Sequence, residues 1–182
     1  MAPILGIMAS QVTGHLWAPS GAYDSIATTT VGAGGASSIS FTSIPSTYTH
    51  LQIRGIALMT GAQNLLTRFN SDTGSNYSAH ELYGSGSAAG AAATTSTNNA
   101  YSGYVDSQLG VMVQDILDYS NTSKYKTSRI LAGSDANGSG YIFLRSTLWM
   151  NTAAITRIDI VPAGAATFTQ YSSFALFGIK SA

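Results

Sequence analysis

The chain has 182 residues, eight Lys/Arg against eight Asp/Glu, and 9% charged side chains beside 45% hydrophobic ones. That balance excludes a disordered chain, which requires low hydrophobicity and high charge, and it leaves no positive excess to neutralise nucleic-acid phosphates. Cysteine is absent, which removes disulfide staples, thiolate nucleophiles and cysteine-ligated metal centres; one domain is expected at this length.

At the N-terminus, MAPILGIMASQ (residues 1–11) is apolar but carries no Lys or Arg, and Gly6 breaks its short apolar run. A secretory leader is therefore not expected. Ile4, Leu5, Ile7 and Met8 read instead either as an internal strand of the chain's own sheet or, the reading favoured, as an anchor that adds to a partner by strand augmentation. Trp17 is a large ring close to a terminus, where chains usually fray, and it implies docking. Residues 1–22 are thus expected to be an anchor peptide and linker, and residues 23–182 the folded domain. No stretch reaches the ~18 apolar residues of a membrane helix, so membrane insertion is not expected.

Beyond this segment the period is two. Gly32–Gly35 separates the first two strands. Ile39 and Phe41 share one face of Ser38–Thr42, and Leu51, Ile53 and Gly55 alternate with Gln52 and Arg54. Tyr77, Ala79, Glu81 and Tyr83 oppose Ser78, His80 and Leu82, while Leu109, Val111 and Val113 alternate with Gly110, Met112 and Gln114. Val113–Asn121 (VQDILDYSN) reads as a strand continuing through Ile116 or Leu117, then a turn at Asp118–Thr122. Ile142, Leu144, Ser146 and Leu148 alternate with Phe143, Arg145, Thr147 and Trp149; Ile158 and Ile160 with Arg157 and Asp159; and Phe174, Leu176 and Gly178 with Ala175, Phe177 and Ile179. Alternation of this kind marks half-buried antiparallel strands. Turn-forming clusters separate them at Pro45–Thr47, Asn70–Asn76, Asp135–Gly140 and Pro162–Gly164. The sum is an all-β antiparallel sandwich, jelly-roll-like, with a short apolar N-terminal extension. The small-residue stretch Gly84–Asn99 reads as a long exposed loop. Leu51–Ile56 (LQIRGI) echoes Phe174–Ile179 (FALFGI), as two neighbouring strands of one sheet could by convergence.

Candidate chemistry is thin. His15, His50 and His80 show no metal-ligand spacing. Asp72–Asn76 and Asp135–Gly140 resemble the start of a calcium loop but lack its later glutamate, so tight turns are expected and no cofactor is. No serine sits in a nucleophile elbow. A hydrolase would have to use carboxylates such as Asp115 and Glu81, and no acid–base pair is evident. Of ten tyrosines, Tyr101, Tyr104, Tyr119 and Tyr125, with Tyr171, read as lying near strand ends or loops. There an apolar ring with a polar tip suits a glycan or a protein interface.

Several segments carry a family resemblance: Ile4–Ser10, Phe41–Gly55 (FTSIPSTYTHLQIRG), Arg68–Tyr77 (RFNSDTGSNY), Asp115–Thr127 (DILDYSNTSKYKT) and Ser173–Lys180 (SSFALFGIK). They are similar to small β-rich structural proteins of tailed bacteriophages. The resemblance implies a virion subunit, assembled in the host cytoplasm, that is a tail-fibre or baseplate appendage, with a capsid decoration protein as the rival. It implies other virion proteins as partners and a homo-oligomer, a trimer by preference. A carbohydrate-binding module recognising a host surface glycan is the alternative from a different class. It carries over no catalytic residue, and no enzymatic activity is expected.

Overall fold

The computed structural model describes residues 22–105 and 109–180. Twelve strands are present among them: β1 Tyr23–Thr30, β2 Ile39–Phe41, β3 His50–Ala57, β4 Gln63–Phe69, β5 Tyr77–Gly84, β6 Ala89–Thr97, β7 Ala100–Val105, β8 Gly110–Leu117, β9 Lys126–Asp135, β10 Gly140–Trp149, β11 Ile158–Pro162 and β12 Ser173–Ile179. No helix occurs among the described residues. An eight-stranded sheet runs β1-β12-β3-β8-β9-β10-β5-β6, and a four-stranded sheet runs β2-β11-β4-β7. All the pairings are antiparallel. The protein is an all-β sandwich, as its alternating pattern implies. The unequal sheets establish two facing layers and do not establish jelly-roll wiring.

Residues opposite one another across an antiparallel pair share a face, and successive residues alternate faces. Register therefore sorts every side chain of the large sheet. Its inner face carries Leu51, Ile53, Met112, Ile116, Ile130, Ala132, Trp149, Phe174 and Leu176, all buried. These pack with Ile39, Phe41, Leu65, Phe69, Ile158 and Ile160 of the small sheet into one core. A chain of buried hydrogen bonds crosses the sandwich. Thr67 Oγ1 donates to Gln114 Oε1 (3.0 Å), Gln114 Nε2 donates to Ser128 Oγ (3.1 Å), and Ser128 meets Thr147 at 2.5 Å. Because every member finds a partner, the polar side chains are tolerated there.

Two expectations change. Gly84–Asn99 is not a loop throughout: Ala89–Thr97 is the edge strand β6, paired with β5. Small side chains cannot build a core, but they leave the backbone free to pair, and backbone bonds suffice to add an edge. Tyr101 and Tyr104, expected near strand ends, sit one residue in from the two ends of β7. Finally, in β8 the aliphatic set Val111 and Val113 faces outward while Gly110, Met112 and Gln114 face inward. The face of β10 bearing Arg145 and Thr147 is likewise the buried one.

Other expectations hold. β8 ends at Leu117 and turns at Asp118, which adopts a positive φ of 48°. Asp135–Gly140 is the β9–β10 hairpin turn, with Asn137 and Gly138 at φ 53° and 100°. The echoing strands β3 and β12 are indeed neighbours, with Gly55 opposite Phe174 and Gly178 opposite Leu51. Each glycine is required by close approach: a Cβ at Gly55 would lie 2.5 Å from the Phe174 ring, and one at Gly178 2.3 Å from the Tyr48 ring.

Candidate functional site

The register of the large sheet builds a continuous apolar stripe on its outer face. Leu82, Leu144, Leu131 and Val113 stand side by side across β5, β10, β9 and β8. A second row beside it joins Ile142, Gly133, Val111 and Ile56 across β10, β9, β8 and β3. These side chains are open to solvent in the single chain; Leu82 is 60% exposed and Ile142 59%. With Leu109 they present on the order of 700 Å² of surface, above the ~300–600 Å² of the largest apolar patch on a typical monomer. Gly133, lacking a side chain, leaves a dip between Ile142 and Val111. The neighbouring row is polar: His80, Ser146, Arg129, Asp115 and Gln52. Its charged groups make hydrogen bonds to neutral neighbours: Arg129 donates to Ser146, and Gln52 Nε2 donates to Asp115 at 2.7 Å. Farther along the sheet, Arg54 lies 5.5 Å from the Tyr23 ring centroid and 5.3 Å from that of Phe177. The outer face is thus divided into an apolar half and a polar, cation–π half.

A second feature lies on the inner side, where β6 extends past the small sheet. Gly90, Ala92 and Thr94 are the inward residues of β6, and none fills the gap toward β7. A cleft of about 220 Å³ results, lined by Asn64, Ala79, Glu81, Ala92, Thr94, Tyr101 and Arg145 among others. Arg145 and Glu81 are direct cross-strand partners. Arg145 Nε donates to Glu81 Oε2 at 2.5 Å, with the arginine side chain 3% exposed and the glutamate 22%. Arg145 also donates to the Gly103 carbonyl at 3.0 Å and lies 4.0 Å from the Phe143 ring centroid. Burial lowers the pKa of the guanidinium, and the Glu81 carboxylate opposes that shift. The Thr94 hydroxyl is buried without a hydrogen-bond partner. Beside the cleft Tyr83, Phe143, Tyr104 and Tyr141 form an aromatic cluster with centroids 5.2–6.2 Å apart.

The residues singled out in the sequence separate accordingly. Ile4, Leu5, Ile7, Met8, Trp17 and His15 lie outside the described residues. Tyr101 lines the cleft, Tyr104 belongs to the aromatic cluster beside it, and Tyr125 is exposed before β9. Tyr119 is a correction: it is fully buried, its hydroxyl donates to the Pro45 carbonyl, and it offers no contact surface. It closes the turn after β8 onto the core. His50 Nδ1 accepts the Asp118 backbone N–H at 2.9 Å, and His80 stands on the outer face of β5, with three strands between β3 and β5. Asp115 is on the outer face and Glu81 on the inner face of the same sheet, so these two carboxylates do not converge. Asp72 serves its turn and the core: it accepts from Gly74 N (2.8 Å), Asn76 Nδ2 (2.9 Å) and Trp149 Nε1 (2.7 Å). Among the described residues no group of three His, Asp or Glu side chains could hold a metal ion. The Arg145–Glu81 pair escaped the sequence because only the β5–β10 register joins residues 64 positions apart.

Compared with known proteins, the chain matches no family model, no curated protein and no solved structure.

Proposed function

We propose that the protein is a structural, non-enzymatic subunit of a tailed-bacteriophage virion, a tail-fibre or baseplate appendage held by its N-terminal peptide. It self-associates, as a trimer by preference, through the outer face of the large sheet. The observation that carries the reading is the apolar stripe Leu82–Leu144–Leu131–Val113 with its second row. Its area approaches the ~800 Å² that each partner contributes to a standard interface. The occupant is a further copy of this chain. The apolar rows carry no charged side chain on β5, β8, β9 or β10, so they meet their own copy without like-charge repulsion, and burying them removes an aggregation hazard. The low overall charge and the phage-like segments support the same reading.

The test has two arms. Light scattering of the full chain is expected to give an oligomer, and Leu131→Lys/Leu144→Lys a folded, smaller species. A monomeric wild type across a wide concentration range refutes self-association. Immunogold labelling of particles with antibody to residues 23–182 is expected to mark the tail; gold over the head would reassign the protein to capsid decoration. Deletion of residues 2–11 is expected to block incorporation and leave the sandwich folded.

A further inference from the structure

The inner cleft plays no part in the outer-face assembly, yet it holds a nearly buried ion pair in a chain with very few charges. Charge taken out of water is costly and is retained where geometry rewards it; such groups in a cleft mark candidate sites. The cleft sits at the open flank of the sandwich, bounded by β5 and β6 on one side and β4 and β7 on the other. It exists because β6 presents only glycine, alanine and threonine inward, so nothing of the chain's own fills it.

We propose that this cleft binds one ring of a small polyhydroxylated ligand, a hexose-sized sugar, with Glu81 and Asn64 as polar contacts and Tyr101 as the apolar wall. Three observations point there. The volume, 220 Å³, is below the ~300–1,000 Å³ of drug-sized sites and fits a single ring. Glu81 spends one oxygen on Arg145, and an ionised carboxylate has about four acceptor positions, so its partly exposed side can accept from hydroxyls. Tyr101 adds a ring face against which the C–H side of a sugar can lie, with a hydroxyl at its tip. Arg145 acts as a positioning residue: its bond to Glu81 and its contact with Phe143 hold the carboxylate toward the cleft.

Saturation-transfer-difference NMR on the full chain tests this with D-glucose, D-galactose, D-mannose and N-acetyl-D-glucosamine as separate probes at millimolar concentration. At least one is expected to receive transfer. Glu81→Gln and Tyr101→Ser should each weaken that probe by about tenfold or more, the loss of a charge-assisted bond or a ring contact. Tyr101→Phe should largely retain it. The outer-face variant Leu131→Lys/Leu144→Lys should bind as wild type, which separates this inference from the assembly reading. Circular dichroism checks the fold of each variant, and Tyr101→Ser carries the test if Glu81→Gln fails to fold. No transfer to any of the four sugars overturns the proposal, as does transfer unchanged in a folded Glu81→Gln or Tyr101→Ser variant.

Discussion

Replacing Glu81 with leucine is expected to cost about 3–5 kcal/mol, the penalty for leaving one charge of a buried pair uncompensated. The reasoning starts from the asymmetry of the pair. Arg145 is 3% exposed, and without Glu81 it keeps only neutral partners, the Gly103 carbonyl and the Phe143 and Tyr101 rings. So little of it meets water that hydration replaces the lost carboxylate poorly. Glu81, 22% exposed at the cleft, can be rehydrated when Arg145 is removed. Arg145→Met should therefore cost less, about 1–3 kcal/mol for the lost carbonyl bond and ring contact. The double variant Arg145→Met/Glu81→Leu removes both charges and should fall within about 1–2 kcal/mol of wild type. The cycle then yields a coupling of at least about 2 kcal/mol. Equilibrium urea unfolding of the four proteins, all at one protein concentration, gives each value from midpoint and slope. Additive costs, or an Arg145→Met variant less stable than Glu81→Leu, would refute the argument from unequal solvent access.

Two further outcomes follow from Asp159 of β11 and Tyr77 of β5. Burial pushes the Asp159 carboxyl up, but Arg157, whose Nε donates at 2.9 and 3.0 Å, and the hydroxyls of Ser40 and Ser71 together hold its pKa below the ordinary 3.8. A carboxyl depressed in the fold stabilises it above the ordinary carboxylate range, and that contribution is lost as pH falls through 3.8 and below. Asp159→Asn should be less stable at neutral pH and lose less on acidification, read from urea midpoints across a pH series; parallel curves for the two proteins would refute it. Tyr77 is fully buried, its hydroxyl accepts the Phe69 N–H at 3.0 Å, and burial raises its pKa to about 12. Tyr77→Phe orphans that amide and should cost about 1–3 kcal/mol in urea unfolding; a loss near zero would show that another group takes over.

Much of the architecture was legible because a half-buried strand writes its own period. Ile39 and Phe41, Leu51 and Ile53, and Ile158 and Ile160 advertise strands whose apolar residues do point inward. β6 was hidden because alanine, glycine and threonine carry no alternation, and an edge strand needs only its backbone. The cleft was hidden for a different reason. Its residues come from five strands, and Glu81 meets Arg145 only through a register that no local pattern encodes. Tyr119 misled because its position after a strand says nothing about burial; the bond to Pro45 that pulls it inward joins residues 74 apart.

The inverted faces of β8 and β10 are the most instructive of these differences. In a one-sided sheet the more apolar alternate set is the buried set, because only one face loses water. Here Val111, Val113, Ile142 and Leu144 form the exposed set, while Gln114, Arg145 and Thr147 are buried among their own hydrogen bonds. Scattered exposed leucines need no explanation. Four large aliphatic residues adjacent on four consecutive strands of a sheet are different, since β5, β8, β9 and β10 are separate stretches of sequence that must each place one in the same row. A face that stayed in water would gain nothing from that coincidence, and its polar substitution would carry almost no stability penalty. A sheet apolar on both sides has the pattern of a sheet buried on both sides. In the assembly proposed above another copy would supply the second layer, and Leu131→Lys/Leu144→Lys should then change the assembly and leave the fold of the single chain intact.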